Sequence, residues 1–176
     1  PKAQPKASSF TISIDTPEEM ARIAAQVKQY SIIKVKLGSD DQDMNRLAAI
    51  RGVRPDVRLR LDANAGWQLD DAIRYIKDLE RFNLELIEQP LNKDDIEGMG
   101  KVQAATKIPI VADESVQTMQ NVEDLARAGV KGINIKLMKV GGLSQALRML
   151  KRAQELGLRV MLGCMIETAI RTTAMA

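Results

Sequence analysis

Histidine is missing from all 176 residues, and cysteine occurs once, as Cys164. The first absence excludes Ser/His and Cys/His nucleophilic pairs and histidine-ligated zinc, so any chemistry falls to carboxylates and lysines. A single cysteine cannot close an internal disulfide and suits a reducing, cytoplasmic setting. Aromatic residues are scarce, at 3%, and no basic stripe is interleaved with them, so nucleic acid is not an expected partner. The 26 basic and 23 acidic residues are spread along the chain and leave a net charge of only +3. No apolar run approaches the roughly 18 residues of a membrane span, and no charged segment leads into a short apolar one, so neither membrane insertion nor secretion is expected.

What is present is a repeat of short apolar, β-rich runs and amphipathic stretches. Pro1 to Ser9 reads as a linker or a truncation boundary, and residues 10–176 as one partial barrel domain. The expected strands are Phe10–Ile14, Ile32–Leu37, Val57–Asp62, Leu84–Glu88, Ile108–Asp113, Gly132–Leu137 and Arg159–Met165. Helices are expected between them, the first capped by Asp15 or Thr16 with Pro17 in its opening turn. Strand-helix alternation at this spacing argues for an α/β fold with a parallel sheet. Seven such units predict a TIM-type (β/α)8 barrel without its eighth strand.

Five ionisable residues, Lys36, Asp62, Glu88, Asp113 and Lys136, close five of these runs at separations of 26, 26, 25 and 23 residues. One strand, one helix and two loops take up about that length, so each unit delivers one group to the same end of the sheet, where barrel enzymes keep their chemistry. Every second side chain of a barrel strand faces inward, which puts Lys34, Lys36, Arg60 and Asp62 inside and Val35, Leu37, Leu59 and Leu61 toward the helices. Buried charge without a partner is costly, so Lys34, Arg60, Asp62 and Glu88 are expected to neutralise one another in a layer. Asp62, Glu88 and Asp113, on neighbouring strands, form an oxygen-only set suited to Mg2+, with Mn2+ as the alternative. Lys36 and Lys136 sit four strands apart in a ring of eight and face each other across the mouth. Opposed bases about a metal-held carboxylate are what removal of an α-proton from one face and its return to the other require.

Plainer readings stand beside these. A strand-end lysine is ordinarily a solvated surface group, and Asp113 with Ser115 also suits a loop start. Gly141-Gly142 reads as a turn or as a phosphate cradle. Cys164 reads as a buried small residue, the nine methionines as core filler, and Trp67 either as a shield for the site or as a cover for the third helix.

The strings KVKLG, LRLDANAGW, IEQPL, VADESV, NIKLMKVGG and GCMIET resemble the barrel of the enolase superfamily in its muconate-lactonizing subgroup, and within it the dipeptide epimerases of the L-Ala-D/L-Glu type. The resemblance runs from about Phe10 to Met175. It implies that Asp62, Glu88 and Asp113 bind magnesium, that Lys36 and Lys136 are the acid/base pair, that Lys34 assists beside Lys36, and that an enolate-like intermediate forms. Asn64, Cys164, Met165 and Glu167, within or beside these strings, are expected to contact the substrate. The implied reaction is epimerisation of a dipeptide residue next to a carboxylate. Alternatives are a muconate cycloisomerase or o-succinylbenzoate synthase-like enzyme on the same lysines, or a non-catalytic barrel fragment that self-associates. Two features of the family, an N-terminal capping domain and an eighth strand bearing an Asp-x-Asp pair, are not found in these residues. A homo-oligomer formed through open strand edges is therefore expected, with this chain alone possessing little activity.

Overall fold

In a computed structural model of the chain, residues 7–38, 42–166 and 168–175 are described. Seven strands, β1 (Phe10–Ile12), β2 (Ile32–Lys36), β3 (Arg58–Asp62), β4 (Leu84–Glu88), β5 (Ile110–Ala112), β6 (Gly132–Ile135) and β7 (Arg159–Leu162), pair in parallel in chain order. The helices are α1 (Pro17–Gln26), α2 (Asp43–Val53), α3 (Leu69–Leu79), α4 (Ile96–Ala104), α5 (Met119–Ala128), α6 (Leu137–Val140), α7 (Leu143–Glu155) and α8 (Ala169–Met175). The sheet is curled: Arg60 on β3 reaches Met161 Sδ on β7 at 3.6 Å, and Asn134 on β6 donates to Glu88 on β4 at 2.9 Å.

Local chemistry accounts for the helix starts. Thr16 caps α1 by accepting from Glu19 N, with Pro17 at the first position and Glu18 and Glu19 at the positive end. Thr118 and Asn121 form a reciprocal capping box on α5, which ends at Gly129 in the left-handed region (φ +91°). Leu69, Ala72, Ile76 and Leu79 turn one face of α3 to the sheet. The outward strand residues Val35, Leu59, Leu61, Ile87, Ile133 and Ile135 are all fully buried against the helices in one continuous core.

Register then sets the height of each inward group. Lys36 pairs with Asp62, Asp62 with Glu88, and Glu88 with Val111. Asp113, two residues beyond Val111, therefore stands on the same face one step higher. Between β3 and β4 the register slips at Leu59/Arg60, so that Glu85 has no partner residue across the ladder.

Several boundaries differ from expectation. β5 begins at Ile110 because Pro109 has no N–H to give the ladder, although its carbonyl accepts from Ile87 N. β6 stops at Ile135, and LMKV coils into the short helix α6 instead of extending the strand. β7 ends at Leu162. Most of the Pro1–Ser9 segment lies outside the described residues.

Candidate active site

The inward ends of β2, β3 and β4 meet on one ammonium group. Lys34 Nζ lies 2.8 Å from Asp62 Oδ2 and 2.7 Å from Glu88 Oε2, with both carboxylates almost wholly buried. Burial alone would lower the pKa of this lysine, but Glu88 and Asp62 outweigh it and hold the value above its ordinary range. Glu88 shares Lys34 with Asp62 and takes its other oxygen's hydrogen bond from Asn134. Burial pushes its carboxyl up to about 7, against the pull of Lys34 and with added repulsion from Asp62 and Asp113.

Arg60 takes no part in this layer, contrary to expectation. It pairs with Glu85 at 2.6 Å, because the register slip turns Glu85 toward it one level lower. The place of a further polar group in the layer is filled by Asn134. This residue is buried on β6, gives one N–H to Glu88 Oε1 and leaves its own Oδ1 unpaired. Gly163, just past β7, leaves room for this carboxamide, since a Cβ there would come within 2.6 Å of Asn134 Oδ1.

Asp113 carries two lysines. Lys136, the residue that leads into α6, places Nζ 2.5 Å from Oδ2. Lys139, one turn further on, binds Oδ1 and the backbone carbonyl of Asp113. Burial would raise the Asp113 carboxyl, but the two ammonium groups hold it below its ordinary value. Lys139 is not among the sequence candidates, because it lies beyond the expected strand Gly132–Leu137 in a stretch for which no helix is expected. Read as a helix start, the K-x-x-K spacing in KLMK would have put both lysines on one side.

Lys36 sits at the end of β2 and donates to Asn64 Oδ1 at 3.0 Å. Asn64 and Ala65 both adopt positive φ (+45° and +60°), which folds DANAG back over the strand ends. Asn64 also gives its backbone N–H to Asp62 Oδ1 and its amide to Glu114 Oε1. Of the other candidate substrate contacts, Cys164 and Met165 lie on the exposed coil after β7, so Cys164 is not the buried small residue expected. Glu167 lies outside the described residues. Trp67 packs its ring edge against Tyr75 of α3 with centroids 5.6 Å apart, which makes it a cover for that helix. Gly141 and Gly142 form the turn between α6 and α7, at φ +82° and +110°.

Each of the three acids is neutralised by lysine, and among the described residues no three acidic groups are gathered as a ready-made ion cage. Their chemistry nonetheless fits a hard divalent cation. All the donors are oxygen and they occupy adjacent strand ends; the Glu88 carboxyl, raised first by burial and further by repulsion from Asp62 and Asp113, is one whose charged form a cation would favour. Among the described residues no helix is long and apolar enough to cross a membrane.

The family described as "Enolase C-terminal domain-like" matches residues 18–176. The chain is 45% identical to the L-Ala-D/L-Glu epimerase of Bacillus subtilis, over 96% of its own length and 48% of that protein. The dipeptide epimerase of Enterococcus faecalis, solved with Mg and L-Leu-L-Tyr, superposes with a TM-score of 0.92 at 39% identity, covering 97% of this chain and 49% of that one. The Cytophaga hutchinsonii dipeptide epimerase, solved with Mg and D-Ala-L-Val, gives 0.94 at 33% identity, covering 99% and 49%. The chain thus spans about half the length of the curated relatives it matches.

Proposed function

The chain belongs to the enolase C-terminal domain-like family, and from that membership we propose that it carries the barrel of a magnesium-dependent dipeptide epimerase. The observation that carries this reading is the single array of alternating charge at successive strand ends: Lys36, then Lys34 between Asp62 and Glu88, then Asp113 under Lys136. In this reading residues 10–176 are seven units of a (β/α)8 barrel. The relatives solved with magnesium and a dipeptide support the ligand class.

Asp62, Glu88 and Asp113 would hold the magnesium. Once bound, the ion supplies a positive charge for the substrate carboxylate and for the negative charge that develops as the α-proton leaves. The remaining work falls to side chains of the chain. Lys36, approached by Asn64, removes or returns the proton on one face, and Lys136, extended from the opposite strand, serves the other. Lys34 stays protonated between its two carboxylates and keeps local charge balanced without exchanging a proton with substrate. Asn64 joins the substrate pocket at its Lys36 side, Cys164 and Met165 line it from the coil after β7, and Glu167 is a further proposed substrate contact by its place in the GCMIET string.

Deuterium uptake at the α-carbon of L,L-dipeptides, followed by NMR in the full chain with magnesium, tests the reading. Lys36→Ala is expected to abolish exchange from one epimer and spare the other, Lys136→Ala to do the reverse, and both to lose net epimerisation. Full epimerisation by either variant would remove the two-base arrangement.

A further inference from the structure

Gln89 follows the buried Glu88 directly, and its side chain is wholly buried. Its backbone is also held at φ +38°, where a side chain is disfavoured and glycine is the usual residue. A long polar side chain kept in the left-handed region with no access to water needs a compensating set of bonds, and here the set is complete. Gln89 Oε1 accepts from the backbone N–H of Asp113 (2.8 Å) and of Ser115 (3.2 Å). Its Nε2 donates to Leu91 O (2.8 Å) and to Ser115 Oγ (2.9 Å), and that hydroxyl in turn donates to Lys93 O. The backbone of Gln89 adds two more links, accepting from Ala65 N at 2.8 Å and donating to Val111 O at 2.9 Å.

The loops after β3, β4 and β5 are the ones that follow Asp62, Glu88 and Asp113. All three are fastened through this one residue. We propose that Gln89 is a positioning residue that locks these loops to one another and thereby fixes the separation of the three carboxylates. The amide suits the task because it offers an acceptor with two lone pairs and two donors at one end. A carboxylate or an apolar chain of equal length would leave buried N–H or C=O groups unpaired.

The positioning role is tested by amide hydrogen exchange, which needs no metal. Its consequence, magnesium affinity, rests on the proposed function. In Gln89→Met, which keeps the length and loses the amide, exchange at the Asp113 and Ser115 N–H groups should accelerate about tenfold while α1 and α2 keep their parent rates. Calorimetry should show magnesium binding weakened by about tenfold. Ser115→Ala, which removes one partner and leaves Gln89 intact, guards against a variant that fails to fold and should give the same pattern at roughly a third of the size. Acceleration spread equally over α1, α2 and the site would mean that Gln89 only contributes packing, and unchanged site amides would mean that it holds nothing. Either result overturns the proposal. If the parent chain binds no magnesium at millimolar concentration, the metal reading of the site falls, and amide exchange alone judges Gln89.

Discussion

Asp113 holds two ammonium groups on one almost wholly buried carboxylate, with Lys136 on Oδ2 and Lys139 on Oδ1. Removing that charge leaves two buried ammonium groups facing each other, so Asp113→Asn is expected to cost roughly 3 kcal/mol in denaturant unfolding, as breaking a buried pair does. The same variant should lose most of the thermal stabilisation that millimolar magnesium gives the parent. Glu88 makes a prediction of the opposite sign with pH. Its folded pKa of about 7 lies above its ordinary 4.5, so across that window the folded chain holds a proton that the unfolded chain has released. Metal-free stability should therefore be greatest below pH 4.5 as far as this group is concerned, and should fall by up to about 3 kcal/mol as pH rises to 7. Glu88→Gln should flatten the slope in urea titrations with chelator present, and an unchanged slope would assign it to other groups. The Lys34, Asp62 and Glu88 layer was legible from alternation and spacing alone, because period-2 geometry dictates which residues turn inward. Lys139, Asn134 and Gln89 were not. Their roles depend on a helix start, a cross-sheet approach and a loop fold, none of which has a local sequence period.

Elements with strong punctuation match expectation within a residue or two, as at Thr16-Pro17 and Leu84–Glu88, since caps act locally. Errors gathered where tertiary contact overrides local preference. GINIKL has the composition of a six-residue strand, yet the chain leaves the sheet at Ile135. Arg60 was misplaced by a slip in register that no single strand reveals. The close fit between β6 and β7 yields a further test. A methyl group at Gly163 would collide with the Asn134 carboxamide, whose N–H is bound to Glu88. Gly163→Ala should therefore act at a distance, pushing Asn134 off Glu88, destabilising the fold by about 1–3 kcal/mol as overpacking does and weakening magnesium binding several-fold. Gly129→Ala, with open space around its Cβ position, serves as the control: its cost comes from backbone strain alone and should leave magnesium affinity at the parent value. If the two variants affect binding equally, the route through Asn134 is wrong.

Across the whole molecule the sheet is curled but has two ends, β1 and β7, each bonded to a strand on one side only. Unpaired N–H and C=O groups along such an edge are a template for another chain. Beside β7, large apolar side chains lie open: Leu162 on the strand, Leu143 and Leu147 on α7, and Ile166 and Ile170 further on. Burying one such side chain fully is worth roughly 2 kcal/mol, and several together rival the roughly 4–15 kcal/mol that association costs in lost freedom. The 176-residue chain is thus expected to self-associate at micromolar concentration through the β7–α7 side. Sedimentation velocity over a concentration series measures this. Leu143→Lys combined with Leu147→Lys should shift the distribution toward monomer, since both positions are exposed and their charging costs the fold little. A parent chain that sediments as a well-folded monomer throughout, with the double variant indistinguishable from it, would show that the curl of the sheet already shields its ends and that the apolar face has no partner among copies of itself.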